Sequence, residues 1–522
     1  MGQSLRASMT WLHTWAGVLL GALLFAIFWM GTLSVFDREI DRWMIPDTRI
    51  ASGGAEAVSL DGLLPQIEKH VGQDAKSWWL NFPEPRTPIA DMWFQDAKGE
   101  YHGPVLFDPA TGMRLAGRET LGATGFIFPF HFNLHLRWFD IGYWLVGAAG
   151  MAMLVLLVSG VIIHRKIFAD FFTFRYERKL PRSSLDLHNL TGVLGLPFHV
   201  VITLSGLIIF TYLYFPKTAA LVYADAQNPT AALHDEAQER FSRPALDEHG
   251  VLTSLDAMMQ IATERWRGVG IRSVQVIHPG DANGYVRINR SHRHSVLRHV
   301  GAIYFDGPTG SVLHATDMPK PIKTVERFVV GLHFIQFEHW TLRWIYFVLG
   351  LSGCVMIATG FIYWLETRRK RHAAQGLPGV RIVEGLTVGA VTGIVIATLA
   401  FFVANRLLPS GATCAGYERA ALEVWAFYLV WLFAFAHAWL RPGAAWREQC
   451  WAIAVLALLA VVLNAATTGD HLIKTVSDGY WPVAGMDLLL LAGAGLAAYA
   501  ARTLARRKGA VAHGQSSLTR TA

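Results

Sequence analysis

Charge is what this sequence has least of. Only 16% of its 522 residues are Asp, Glu, Lys or Arg, against 52% hydrophobic ones, and the mean hydropathy is +0.31. That balance excludes an ordinary soluble domain. Cysteine is scarce too: Cys354, Cys414 and Cys450 are the whole complement, and none stands in a C-x-x-C pair. A covalent C-x-x-C-H haem site, a zinc ribbon and a dithiol redox centre are thereby excluded. Cys354 and Cys450 lie in apolar runs and read as core or lipid-facing residues. No G-x-G-x-x-G follows a strand-like run, so there is no flavin or nicotinamide fingerprint. The net charge of +7 is no nucleic-acid signal, because the basic residues flank apolar runs.

What the sequence does have is length of apolar run. Stretches near 12–36, 143–164, 189–215, 343–365, 384–404, 421–440, 450–468 and 483–503 approach or exceed the ~20 residues that cross a bilayer core. The expected fold is mainly α: a polytopic membrane helical bundle of about eight spans, with two small α+β extracytoplasmic domains. In order, the chain divides into span one (1–36), a first polar domain (37–142), spans two and three (143–215), a second polar domain (216–342), span four (343–366), a four-span extension (380–505) and a tail (506–522). The first run is long for a signal-peptide core, and no small-residue cleavage site precedes Asp37, so it reads as an uncleaved anchor.

Basic residues set the expected orientation. The stretch 164–182 carries six Lys or Arg, "ETRRKRH" (366–372) follows span four, Arg441 and Arg447 lie between spans six and seven, and "RRK" (506–508) follows span eight. All four fall on one side if both termini are cytoplasmic, and the polar domains then lie outside.

An internal repeat is visible. "GPVLFDPATGMRLA" (103–116) resembles "GAIYFDGPTGSVLH" (301–314), and each is preceded by a helix-like stretch, 59–72 and 253–266. Each polar domain thus reads as a helix and then strands, with Asp-x-x-Thr-Gly at a tight turn. An "LH" pair follows each (134–135 and 332–333), and then a span containing "SG" (159–160) or "TG" (359–360).

Twenty-one histidines and nineteen tryptophans complete the picture. "HTWAG" (13–17) and "HNLTG" (188–192) open spans one and three with the same His-to-Gly spacing. His164 lies at the cytoplasmic end of span two, and His135 and His333 at the outer ends of spans two and four. His199 follows His188 by eleven residues, which on a straight helix returns to nearly the same face roughly 16 Å further on. Imidazole in lipid is costly unless paired or ligated. Two histidine layers in a four-helix bundle suit b-type haem, whose iron takes two axial imidazoles. Gly17 and Gly192 would admit a porphyrin or a neighbouring helix. Zinc or copper is a rival, since His131 and His135 are spaced i, i+4, but no carboxylate is placed as in H-E-x-x-H. His102, His292, His294 and His299 read as solvated, and His339 and Glu338 as near the membrane surface. Most tryptophans read as an interfacial belt, with Trp11, Trp15 and Trp138 as candidates to line haem.

The first 366 residues resemble the PepSY-associated transmembrane family. The likeness rests on HTWAG with "FWMGTLSVFDREID" (28–41), on "GVIIHRKIFADFFTFR" (160–175), on "DLHNLTGVLGLPFHVVITLSGL" (186–207) and on the LH…TG pattern of span four. It implies two extracytoplasmic PepSY modules, a haem-bearing four-helix core, and kinship with iron-regulated and ferric-siderophore reductases of the bacterial inner membrane. Carried over, the histidine positions are His13, His135, His164, His188, His199 and His333. The four-span extension departs from the family pattern.

These readings converge on an inner-membrane protein with two haems b, held through His13, His188, His135 and His333. It would pass electrons from a donor such as a quinol or a cytoplasmic reductase to Fe(III) in a siderophore. Reduction weakens oxygen-donor chelation, because Fe(II) is softer and less charged. Expected partners are the ferric siderophore, membrane lipid and that donor, with no nucleic acid. Two alternatives stand beside this one: a PepSY peptide- or protease-binding module without redox activity, and a haem or siderophore transporter, which the scarcity of intramembrane charges (Asp487 is one) weakens.

Overall fold

The computed structural model describes residues 4–50, 59–72, 74–116, 119–164, 180–214, 216–226, 229, 232–233, 240–297, 301–316 and 321–518. Its main elements are α1 (Leu5–Ser34), α2 (Asp37–Met44), α3 (Leu60–Val71), β1 (Ser77–Asn81), β2 (Ala90–Gln95), β3 (Tyr101–Phe107), α4 (Phe128–Asn133), α5 (Ile141–Ile163), α6 (Leu180–Leu194) and α7 (Leu196–Ile209). After these come α8 (Leu255–Arg265), β4 (Ile271–Ile277), β5 (Tyr285–Arg290), β6 (Ala302–Asp306), β7 (Val312–Thr316), α9 (Pro321–Phe334), α10 (Trp340–Ala374), α11 (Gly379–Leu407), α12 (Arg419–Leu440), α13 (Ala445–Thr468) and α14 (Trp481–Leu518). Most of the basic stretch 164–182 lies outside the described residues, as does His299. The chain forms two compact units: Met1–Pro46 with Glu119–Leu204 and Trp344–Ala522, and Asp47–Arg118 with Ser205–Arg343.

The first unit holds the membrane helices. Among the described residues, seven helices are long and apolar enough to cross a bilayer, and the pair α6 and α7 makes an eighth if it counts as one span. The chain is a multi-pass membrane protein. Of the extension's helices, α11 is buried along most of its length, while α12, α13 and α14 bury only a minor part of theirs.

The third span corrects one expectation. Helices α6 and α7 meet at 64° across Gly195. Pro197 explains the break: it has no N–H to offer the preceding turn, and its ring crowds the backbone before it. His188 and His199 lie on opposite sides of that bend, so they do not share one straight stripe.

The second unit is built on a single sheet. Its order is β3-β2-β1-β4-β5-β6-β7, and every neighbouring pair is antiparallel. Each repeat supplies one part, and β1 joins β4 with Trp79 opposite Gln275. Alternation does the packing: Trp78 and Leu80 of β1, Val274 and Val276 of β4, and Val286 and Ile288 of β5 all point into one core with Leu60 and Ile67 of α3 and Leu255 and Met258 of α8. Each such side chain contributes about 1.5–3 kcal/mol on burial.

The two helices cap one another across the repeat. Ser59 caps α3 and also donates to Asp256, whose other oxygen accepts from Leu60 N at 2.9 Å. Ser254 caps α8 and donates to Asp61 at 2.5 Å, while Leu255 N donates to that same carboxylate at 2.7 Å. The repeated turns also match. Gly112 N reaches Asp108 O at 2.8 Å and Gly310 N reaches Asp306 O at 2.8 Å, with both glycines at positive φ, 66° and 71°. Burial would push the Asp306 carboxyl up. Hydrogen bonds from Thr309 and Arg243 more than offset this and hold it below its usual range.

Candidate cofactor-binding site

Three imidazoles of the first unit sit on the same small device. A facing backbone offers a carbonyl at residue i, and residue i+4 is glycine, so the ring can lie close against the chain. His13 Nδ1 lies 3.0 Å from Leu156 O and 3.0 Å from Ser159 Oγ, over Gly160, where an added Cβ would stand 3.4 Å from the ring. His188 Nδ1 lies 2.7 Å from Met356 O, over Gly360, where a Cβ would stand 3.2 Å away. His131 Nδ1 lies 2.8 Å from Ile27 O, over Gly31, where a Cβ would come within 2.6 Å. In the second unit, His333 lies against Gly206, where a Cβ would stand 2.8 Å from its ring. Its Nδ1 is 3.1 Å from Ser205 Oγ, so a serine precedes the seat glycine there as Ser159 precedes Gly160.

These bonds fix the tautomer. A carbonyl oxygen can only accept, so Nδ1 carries the proton and Nε2 keeps its lone pair. For His13 and His188, Nε2 has no hydrogen-bond partner among the described residues. This is the arrangement of a metal-ligating histidine oriented by its second nitrogen.

The two rings stand 6.2 Å apart between centroids, at 86° to each other. One metal ion between two imidazoles, with bonds of roughly 2 Å, spaces the ring centres by about 6 Å. Both rings line a cavity of about 760 Å³ formed by α1, α5, α6 and α10. Gly17, Gly21, Gly192 and Gly360 line its walls, and apolar side chains such as Leu24, Met153, Leu157 and Phe361 fill in between. Arg6, Arg368 and Arg371 line it too, two from the C-terminal turns of α10 and one from the first turn of α1. The imidazole pair, apolar slot and guanidinium cluster are a donor set that would fit haem: two nitrogen ligands for its iron, apolar walls for its ring and cations for its carboxylates.

The other expected histidines fall in different settings. His164 follows the end of α5 and lines the same cavity. His199 is fully buried, and among the described residues neither of its ring nitrogens has a hydrogen-bond partner. It packs edge-on against Phe28 at 5.8 Å. His135 lies six residues before α5, in the left-handed conformation at φ 52°. Its Nε2 is 3.1 Å from Gly125 O, and its ring packs on Phe126 at 4.9 Å. The helix carrying His131 ends at Asn133, so His131 and His135 do not share a helix face, which removes the i, i+4 argument for zinc or copper. His131, and not His135, occupies a seat like that of His333.

Some minor readings also change. Trp11, Trp15 and Trp138 are exposed, whereas Trp364 lines the cavity. His292 is buried beside Arg272, with a closest approach of 2.9 Å, rather than solvated. His294 is exposed, and His339 Nδ1 accepts from Leu342 N at 3.4 Å in the first turn of α10. Among the described residues, Asp96, Glu100 and His102 have metal-ligand spacing, but they are part of a surface turn. There His102 pairs with Asp96 at 2.9 Å, a bond that holds the Asp96 carboxyl below its usual range.

The sequence reading missed the glycine seats, although a signal existed. Gly31 follows His13 by 18 residues and Gly206 follows His188 by the same interval.

The family described as PepSY-associated TM region matches the chain over residues 10–367. An uncharacterized protein of Pseudomonas aeruginosa is 26% identical over 392 residues, which span 69% of this chain and 91% of that relative. The imidazoles of the cavity and all four seats fall within the matched residues; Arg6, Arg368 and Arg371 lie just outside them, and α11–α14 fall beyond.

Proposed function

The chain belongs to the PepSY-associated TM region family, and we propose that it is a haem-bearing electron carrier of a bacterial inner membrane that reduces ferric iron in siderophores. The observation that carries the reading is the His13–His188 pair: two imidazoles 6.2 Å apart, each oriented by a backbone carbonyl, across one large slot. Bound there, haem b would supply one-electron transfer between ferric and ferrous iron.

The protein's own groups do the rest. Leu156 O and Met356 O hold the Nδ1 protons, keep both rings neutral ligands and raise their basicity. Gly160 and Gly360 let the rings approach the helices. Arg6, Arg368 and Arg371, at the rim, would offset the charge of two carboxylates, and the apolar walls exclude water from the imidazole pair, which strengthens the bonds that orient it.

A second haem rests on His131, whose seat is of the same kind as those of the first pair. His131 replaces His135 in this assignment, because the His135 ring is already spent on its own loop. His164 and His199 remain the reserve ligands. With the basic segments cytoplasmic, the first haem lies toward the electron donor, a quinol or a cytoplasmic reductase, and the second toward the periplasm.

Difference spectra of the purified protein, oxidised against dithionite-reduced, test the reading. The expected result is a low-spin reduced α-band, haem extractable by acid–acetone, and two haems per chain. Anaerobic addition of a ferric siderophore to the reduced protein should reoxidise it and release Fe(II) to a ferrous chelator. A haem-free protein would return the chain to the class of binding modules. Reoxidation by quinone but by no ferric chelate would reverse the direction of flow.

A further inference from the structure

The extension beyond the family match grips the segment that carries His131. The residues from Glu119 to Leu134 are tied to α11, α12 and the turn between them at several points. Glu119 accepts from Ser410 Oγ at 2.6 Å, from Gly411 N at 3.2 Å and from Arg419 at 3.2 Å. The Ser410 hydroxyl, helped by the other two donors, holds the Glu119 carboxyl below its ordinary range. Thr120 donates its hydroxyl to Glu423, whose other oxygen accepts from Asn405 at 3.0 Å. Phe126 packs between Phe401, at 4.7 Å, and Phe427, at 5.0 Å. Phe130, the residue before His131, packs on Phe427 at 5.5 Å and Trp431 at 5.9 Å. Tyr428 donates its hydroxyl to Leu134 O at 2.7 Å, where the chain leaves the helix.

We infer that the hairpin of α11 and α12 is a clamp that positions His131, with Glu423 and Tyr428 as its positioning residues. The inference rests on the haem reading above, in which His131 is a ligand. Helix α4 and the π-helical turn Ala123–Ile127 that runs into it form a short helical segment, marginal in holding its own orientation. The seat at Ile27 and Gly31 grips the ring, and the clamp grips the backbone on both sides of it. Glu423 is fully buried, in a helix apolar enough to span the bilayer. A leucine would fill that space without the cost of burying a carboxylate. What the carboxylate adds is a network: it accepts from Thr120 and from Asn405 and pairs with Arg419 at 3.6 Å. Such a network fixes one arrangement of the elements it joins.

The test uses the full chain in detergent. The variants are Glu423→Ala, Glu423→Gln and Tyr428→Phe, with Asp478→Asn, outside the clamp, as a control. Two readouts apply: haem occupancy with the low-spin spectroscopic signature of each haem, and hydrogen exchange of the Phe126–Leu134 amides. Glu423→Ala should weaken retention of the His131-side haem by about 10–100-fold, the usual effect of losing an outer-shell support. It should leave the His13–His188 haem unchanged and speed exchange in 126–134 but not in α5. Glu423→Gln, which keeps an acceptor for Thr120, should restore most of the loss, and Tyr428→Phe should shift the same haem by less. Unchanged signatures and exchange in Glu423→Ala and Tyr428→Phe would overturn the clamp. So would equal loss of both haems, which would mark general destabilisation. A wild-type protein without haem sinks the haem reading instead, and the exchange data alone then decide whether the hairpin holds this segment.

Discussion

The two halves of the family core are the same machine built twice, with one deliberate difference. Four positions of the first half recur in the second at a constant offset of 175 (188 minus 13, 192 minus 17, 202 minus 27, 206 minus 31). These positions are the opening histidine, the cavity glycine, and the two residues one turn apart at the far seat. Yet α1 runs unbroken from Leu5 to Ser34, whereas its counterpart is cut into α6 and α7 at Gly195. Leu24 of α1, a wall of the cavity, corresponds by the same offset to His199, a buried imidazole with no hydrogen-bond partner among the described residues. The seats were kept between the halves while the stretch between seats was free to change. The imidazole positions are therefore the constrained part, and helix continuity is not.

The comparison can be broken most directly at the opening histidines. If the halves share one site there, His13→Ala and His188→Ala must remove the same haem. Each should lower the content from two haems per chain to one and leave the same residual spectrum, read by pyridine haemochromogen and EPR. Different residual spectra would mean that the halves do not meet at one iron.

The far seats give the next largest effect. His131→Ala should remove the second haem while His135→Ala retains it, and the reverse result would restore the sequence-based assignment. Gly31→Ala should approach the effect of His131→Ala, since the new Cβ would stand 2.6 Å from the ring, while Gly160→Ala, at 3.4 Å from His13, should leave its haem nearly intact. Haem per chain decides both.

A smaller change makes the halves more alike. His199→Leu copies the residue found at position 24. Removing a buried, unbonded imidazole should stabilise the protein by about 1–3 kcal/mol, visible as a higher midpoint of thermal unfolding with both haems kept. Loss of a haem in this variant would make His199 a ligand. The smallest effect belongs to the rim of the cavity. Arg368→Ala or Arg371→Ala should weaken haem retention by less than about 1 kcal/mol each, because exposed ion pairs contribute little, and the loss should shrink further in high salt.

Much of this architecture was legible in the sequence for a simple reason: crossing a bilayer demands long apolar runs, and little else in a chain produces them. The spans, the repeated turns at Asp108 and Asp306 and the pairing of His13 with His188 all follow from one-dimensional patterns. Three features escaped. The break in span three was written in Pro197, but apolar composition hid it. The LH string drew attention to His135, although a histidine's role is set by which carbonyl and which glycine face it from another helix, and those lie 104 residues away for His131. No one-dimensional pattern marks Glu423 as buried, because its partners Thr120 and Asn405 lie 303 and 18 residues away.

The continuous sheet of the second unit has a consequence for how the protein is made. Strand β1 finds its neighbour β4 only after some 190 further residues have been added, counting from Asn81 to Ile271. At ribosomal speeds of roughly 5–20 residues per second, that is a wait on the order of 10–40 s. Throughout it the three strands of the first repeat stand with an unpaired edge, and α3 lacks the reciprocal cap that Asp256 later provides. An open edge is a template for the wrong strand. Newborn chains side by side could pair β1 with each other's β4, so crowding at the site of insertion, rather than the stability of the finished fold, sets how much correctly paired protein a cell obtains.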